Sequence, residues 1–576
     1  MSRLALFAVL LALLALPLGA APVPKGPPPN AWHMFGGTPA RNMVNPREKL
    51  TAFPKEGPQW DEVDAVKKWE ADWVLWKANL GSRSYTQPVV AGGKVYVGTN
   101  NERPRNLRDT VRDKAGVPHP IDKGVLMVFD EKTGKFLWQA VHDVLFVAGV
   151  ANWPKEGLAS TPTIVGDRVY YVSNQCRVVC ADANGFANGN QGFQNEKYNT
   201  ATDADIIWEL DMMKALGVEP HNMSNGCPLI VGDRLFVQTS NGVDESHVNI
   251  PAPEAPSLIC LDRNTGKLLW KDNSPGKGIL HGQWSSPTYA DEPVPQVFHA
   301  QGDGWLRAFD PATGKLLWKF DCNRKGAKHN LDASGDKNHF LGTPVVHNGR
   351  VLIGTGEDPE WSTGTASLWC IDLKKAIELG AKAPERDVSP ELLVRIEKQP
   401  NGDEKVITKP NPASAVAWKY GSEESRKWAP RDFTFGRTMS NVAVVDGLVY
   451  AAELHGILHC LDAKTGKFYW QYDTKSSIWG SPYFVDGKVL LANESGDLFV
   501  FRHNPKPEVI DGVEAARVAP DLKTARTIYK AERAKVEKKY LMAKIEVPAA
   551  IRTTPTVVND VLFVTTENTL YAISRK

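Results

Sequence analysis

The chain has 576 residues, 42% apolar and 23% charged, which is the balance of an ordinary globular protein. Its 68 Lys and Arg against 66 Asp and Glu leave a formal charge of +2, so neither nucleic acid nor an acidic polymer is indicated as a partner. Eighteen Trp and seven Cys are the counts that call for a physical account.

The chain opens on a leader pattern. Arg3 precedes an unbroken apolar run from Leu4 to Leu16, and Gly19-Ala20-Ala21 supply the small residues of a cleavage site. A run this short predicts a secretory signal peptide over residues 1–21 rather than a membrane span. No Cys follows it, so no lipid anchor is expected. No later segment is apolar for long enough to span a bilayer, and the mature chain is expected to be an exported monomer, periplasmic or extracellular. Residues 22–72 read as an N-terminal extension.

From residue 73 onward two patterns alternate. The first is a lead-in, strand, tight turn and second strand, clearest in SPYFVDGKVLLA (481–492). Asp-Gly between two apolar runs is a hairpin signal. The same lead-in stands at Pro88, Pro162, Pro228, Pro287, Pro344, Pro482 and Pro555, and at Val442 without the Pro. The second pattern is VFDEKTGKFLWQAV (128–141), repeated as CLDRNTGKLLWKDN (260–273), AFDPATGKLLWKFD (308–321) and CLDAKTGKFYWQYD (460–473). Together they predict a unit of four strands, a to d. Its length of about 40 residues, the step from Val442 to Pro482, is that of a propeller blade. Eight lead-ins predict an all-β, eight-bladed propeller of four-stranded antiparallel blades over residues 73–576.

Each residue of the phrase has an architectural task. Asp130, Asp262, Asp310 and Asp462 end strand c and are expected to accept hydrogen bonds from the turn. Gly134, Gly266, Gly314 and Gly466 supply the positive φ of a bulged hairpin. Trp138, Trp270, Trp318 and Trp470 on strand d are expected to pack between blades, as are Trp208 and Trp418 after insertions, because a blade cannot bury both faces alone. The last unit ends after strand c, and the missing strand d is matched by Trp73-Val74-Leu75-Trp76-Lys77, so Trp76 is expected to close the ring from the N-terminus. Cys180, Cys260, Cys370 and Cys460 stand two residues before an Asp, in a slot that otherwise holds Val128, Ala308 or Ala572, and read as packing residues. Cys176, Cys227 and Cys322 lie elsewhere, and their pairing is left open. Insertions are read at 101–124, 373–415 and 505–548. The first is a surface loop, the second carries a short helix in LKKAIELG, and the third is a solvated helix on the rim.

The Asp-x-x-Thr-Gly-Lys-x-x-Trp phrase resembles the repeats of the pyrroloquinoline-quinone (PQQ)-like β-propeller superfamily. That resemblance implies either a non-enzymatic envelope assembly factor like BamB or a quinoprotein alcohol or sugar dehydrogenase carrying PQQ and calcium. Parts that the resemblance associates with the enzymes, an adjacent Cys pair and Cys-x-x-Cys-His, do not occur in the sequence. The expectation is therefore a non-catalytic binding or scaffold protein with no cofactor and no metal, whose partner is another envelope protein or a small ligand. The alternative is a PQQ-dependent oxidoreductase.

The loops leading into the strands a frame one mouth of the central channel and are polar and aromatic. Arg83, Tyr85, His221, Asn225, His281, Trp284, Arg437, Trp479 and Arg552 are the candidate ligand-binding residues there, with Asn222, His329, His339, Arg431 and Asp432 nearby. A flat ligand could stack on Trp284 or Trp479 while Arg and His meet its acidic groups. His221 and His281 are also possible metal ligands, though separate loops carry them.

Overall fold

The computed structural model describes residues 26–575, apart from 148–149, 332–334, 359–365, 422–433, 513–515 and 517–518. The expected leader lies outside the described residues, as do Arg431 and Asp432. The chain forms eight four-stranded antiparallel blades, each in the sheet order a-b-c-d. Blade 1 is Val89–Ala91, Lys94–Asn100, Lys123–Asp130 and Phe136–Asp143, and the strands a of blades 2 to 7 follow the remaining lead-ins. In blade 8 the strand Val74–Asn79 pairs antiparallel with Thr569–Ile573, with Trp76 opposite Ala572, so the N-terminal strand does close the ring.

The repeated phrase performs the work read from it. Asp310 Oδ1 accepts from the backbone N–H groups of Ala312 and Thr313 at 2.9 and 2.8 Å, and Asp130, Asp262 and Asp462 bind their turns in the same way. The small slot on strand c has a reason visible only in the register. Cys180, Cys260, Cys370, Cys460, Ala308 and Val128 each lie directly opposite the strand-d Trp of their own blade, so a larger side chain would displace the indole. All seven Cys are free thiols and buried, including Cys176, Cys227 and Cys322.

Each seam Trp docks on the next blade. The Trp270 indole N–H donates to Pro311 O at 3.1 Å, and its ring covers Gly314, where a Cβ would fall 2.7 Å from the ring. Trp76 covers Gly134, Trp208 covers Gly266 and Trp418 covers Gly466 in the same way. Gly314 thus answers two demands, a φ of +72° and contact with a neighbouring indole. Gly314→Ala is expected to cost about 2–4 kcal/mol, strain plus overpacking. Gly349→Ala has the same φ of +72° and open space around it, so it should carry the strain alone. Equal losses in urea unfolding would show that the Trp contact contributes nothing.

Trp318 and Trp470 depart from this pattern because blades 5 and 7 carry insertions at the turn where the dock should be. After strand c of blade 5 the helix Leu373–Gly380 replaces the Thr-Gly turn, and its Leu373 and Ala376 join Trp318 in one core cluster. In blade 7 the helix Leu522–Tyr540 ends on Tyr540, whose ring stacks on Trp470 at 5.0 Å. Arg533 of that helix donates to Asp473 O and to Tyr472 Oη at 2.9 and 2.8 Å. These insertion helices are therefore seam elements. The 505–548 insertion also read too long: Leu541–Glu546 is strand d of blade 7, unrecognised because it lacks a Trp. The 101–124 segment holds a small hairpin, Thr110–Arg112 with Pro118–Pro120, and 373–415 holds a second, Glu391–Lys398 with Glu404–Pro410.

The N-terminal extension crosses one end of the channel and touches every blade. Trp32 exchanges backbone hydrogen bonds with Val90 of blade 1, and His33 O accepts from Ile164 of blade 2. Arg41 is fully buried and donates to Cys227 O and Pro228 O of blade 3 and to Pro287 O of blade 4. Ala40 O accepts from Val346 of blade 5. Asn42 makes a two-way bond with Val444 of blade 6, Val44–Asn45 adds a parallel fifth strand to blade 7, and Asn45 donates to Val557 O of blade 8. Residues 32–48 therefore tie the ring together and close the channel at that end.

Candidate functional site

Opposite the closed end, the lead-in of every blade projects two residues into the channel, one and three positions before the lead-in Pro or Val442. The deeper residues are Gln87, Thr161, Cys227, Ser286, Thr343, Asn441, Ser481 and Thr554. Their side chains join neighbouring blades. The N–H of Ser481 donates to Thr554 Oγ1 at 2.8 Å, that of Asn441 to Ser481 Oγ at 2.9 Å, and that of Ser286 to Thr343 Oγ1 at 3.2 Å. At the junction that Cys227 leaves without a hydroxyl, Ser160 Oγ donates to Gly226 O instead. This belt explains why five of the eight lead-ins are written Ser-Pro or Thr-Pro.

The outer ring comprises Tyr85, Ala159, Asn225, Trp284, Leu341, Met439, Trp479 and Arg552, around a cavity of about 170 Å³. Five of the predicted site residues thus line one cavity. Trp153, Met223 and Glu156 also line it, and Phe35 of the N-terminal segment contributes from the sequence region least connected to the repeats.

Two of the three arginines expected to meet an acidic ligand, Arg83 and Arg552, are already paired. Arg83 binds the buried carboxylate of Glu156. Arg552 donates to Glu494 at 2.9 Å and to Glu567 at 3.0 Å, with its guanidinium 5.9 Å from the Trp479 ring centroid. Burial, with Glu156 second, pushes the Tyr85 phenol up to about 12, so it stays neutral. Arg437 does not line the cavity. It lies near Asp358 and Glu357, with its Nε and Nη1 buried and without hydrogen-bond partners among the described residues.

His221 and His281, remote in sequence, meet beside Trp284. Their Nε2 atoms are 2.7 Å apart, and the His247 ring lies 4.7 Å from that of His221. His281 Nδ1 is 2.7 Å from Asp358 Oδ2, and His221 Nδ1 is 2.9 Å from Val243 O. Burial, then His281, lowers the His221 pKa to about 3, so the ring is neutral at ordinary pH. His339 donates to Gly282 O at 2.7 Å, and His329 hydrogen-bonds Ile279 O. Sequence reading missed His247 and Asp358, because loops outside the lead-ins carry them.

The donor set can be compared with what PQQ and calcium require. Calcium takes six to eight oxygen ligands. The carboxylates at the mouth, Glu156, Glu494 and Glu567, are each held by an arginine. Among the described residues, the group close enough to share a metal is the three histidines, a nitrogen set suited to other ions. Among the described residues, the mouth carboxylates held by arginines do not form the oxygen set that a calcium-bound quinone would take.

Fold and site together define an eight-bladed propeller with a channel closed at one end and an aromatic mouth at the other. Residues 59–191, 196–335 and 403–504 match the family described as outer membrane protein assembly factor BamB, and the chain belongs to that family. A stretch of 108 residues is 33% identical to quinohemoprotein alcohol dehydrogenase ADH-IIG of Pseudomonas putida, covering 18% of this chain and 15% of that relative. The crystal structure of quinohemoprotein alcohol dehydrogenase from Comamonas testosteroni superposes with a TM-score of 0.53 at 12% identity, covering 94% of this chain and 80% of that one. BamB from Moraxella catarrhalis gives a TM-score of 0.45 at 12% identity, over 87% and 97%. At such identities the structural likeness speaks to fold alone.

Proposed function

We propose that this chain is an exported binding protein of the cell envelope. Its channel mouth holds an apolar or aromatic group, either a small ligand or a side chain presented by a protein partner, and performs no quinone chemistry. The observation that carries this reading is the neutralisation of the mouth. With Arg83 and Arg552 paired to glutamates, the large side chains left to a ligand in the outer ring are Tyr85, Trp284, Leu341, Met439 and Trp479, with Asn225 as a polar neighbour. Such a ring favours stacking and apolar burial over recognition of a tricarboxylate. Membership of the BamB family supports an envelope location and a partner protein. No helix among the described residues is long and apolar enough to cross a membrane.

The rival reading, a PQQ-dependent oxidoreductase, draws support from the quinohemoprotein relative. Incubation of the protein with PQQ and Ca²⁺, followed by ultrafiltration and assay of alcohols and sugars with an electron-accepting dye, separates the two. The expected result is no retained quinone and no substrate-dependent dye reduction. Stoichiometric retention with turnover would replace the binding reading by the enzymatic one. Retention without turnover would leave a binding protein but with a different ligand class.

A further inference from the structure

The three histidines beside Trp284 come from three separate loops. His221 leads into blade 3, His281 leads into blade 4, and His247 lies between strands Arg234–Gln238 and Leu258–Asp262 of blade 3. One ring nitrogen from each falls within 4.8 Å of the others. The protonation pattern follows from the partners. A backbone carbonyl only accepts, so His221 Nδ1, 2.9 Å from Val243 O, carries a hydrogen. A carboxylate only accepts, so His281 Nδ1, 2.7 Å from Asp358 Oδ2, carries one too. In each ring the Nε2 is thus the atom turned toward the cluster and available to an ion. Those two nitrogens face each other at 2.7 Å, and the Asn222 amide, 2.7 Å from His221 Nε2, can donate to the same atom.

We infer that His221, His247 and His281 bind one divalent transition-metal ion of the zinc class, with Val243 O and Asp358 orienting the rings of His221 and His281. Three imidazoles suit zinc, copper, cobalt or nickel and not calcium or magnesium. A carbonyl and a carboxylate on the far ring nitrogens are the outer partners that metal-bound histidines ordinarily have. With Zn–N bonds of about 2.0–2.1 Å at tetrahedral angles, the nitrogens stand roughly 3.3 Å apart, so the two Nε2 atoms must separate by about half an ångström. Three protein ligands leave a fourth position for water or for a group entering the mouth. A shared proton between the rings is the competing occupant, and it takes up no metal. The site does not depend on the binding reading above, since metal uptake and quinone retention are measured separately.

The test uses the full chain, stripped with a chelator and dialysed. Co²⁺ is titrated in while its visible d–d absorption is followed, Zn²⁺ is then used in competition, and bound metal is counted by mass spectrometry. One equivalent per chain is expected, with the spectrum of a four- or five-coordinate nitrogen-ligated ion, and Zn²⁺ should raise the Tm. His281→Ala and His247→Ala should weaken binding by about 100-fold or more. Asp358→Asn, which touches no ion, should weaken it by about 10- to 100-fold. His119→Ala, an exposed histidine that pairs with Asp113 and is not part of the cluster, should leave it unchanged. His247→Ala alters a half-buried loop residue, so an apo Tm equal to that of wild type separates loss of metal from loss of fold. Substoichiometric uptake by the wild type would overturn the site in favour of the shared proton. Stoichiometric uptake that survives the histidine substitutions would overturn it in favour of a different site.

Discussion

A chain lacking residues through Leu80 should lose its cooperative thermal transition or melt far below the full-length protein, and should aggregate. The deletion removes strand d of blade 8 and leaves Thr569–Ile573 as an unpaired edge that other chains can extend. It removes Trp76, 8% exposed and docked on Gly134 of blade 1, at a cost of about 3–5 kcal/mol. It also removes residues 32–48, the segment that contacts all eight blades, and with it the buried Arg41 guanidinium that four carbonyls accept from. Hydrogen bonds to a charged group contribute about 1.5–3 kcal/mol each. Arg41→Ala and Trp76→Ala in the intact chain apportion the effect, and each should lower stability by at least about 3 kcal/mol in urea unfolding. A truncated protein with the Tm and solubility of the full chain would disprove both the ring closure and the tie across the channel.

The second large effect belongs to the seam. Trp318 is 0% exposed and lies between Phe298 of its own blade and the helix Leu373–Gly380 of the next. Its indole N–H donates to Gln296 Oε1 at 3.0 Å. Trp318→Ala should cost about 3–5 kcal/mol from lost burial and the cavity left behind, and it strands the Gln296 amide oxygen as well. Lys315, three residues earlier in the same phrase, is exposed, and Lys315→Ala should stay within about 0.5 kcal/mol. Comparable losses from the two substitutions would show that the phrase serves something other than the packing of blades.

The architecture was legible because its determinants are local and repeated. Asp310, Gly314 and Trp318 act within one hairpin or on the adjacent blade, so each copy confirms the others, and Trp76 was recognisable as strand d because it carries the same neighbours. The site was legible only in outline. Tyr85, Asn225, Trp284, Trp479 and Arg552 could be placed at the mouth because every lead-in occupies the same position relative to the axis. Their electrostatic state could not be read, since Glu494 and Glu567, which pair with Arg552, are 58 and 15 residues away from it.

By itself, then, the sequence determined the number of blades, the four-strand unit, the closure of the ring and the small slot two residues before the strand-c Asp, all consequences of short-range periodicity. Only the tertiary structure decided the rest. Residues 32–48 carry no repeat, yet they bond to all eight blades, which the fold brings around one axis. The helices Leu373–Gly380 and Leu522–Tyr540 look like surface decoration until the ring sets them beside Trp318 and Trp470. His221, His247 and His281 are unremarkable singly; they meet because neighbouring blades converge at the channel mouth. Contacts between segments far apart in the chain leave no period to detect, and in this molecule those contacts close the channel, neutralise its arginines and assemble its histidines.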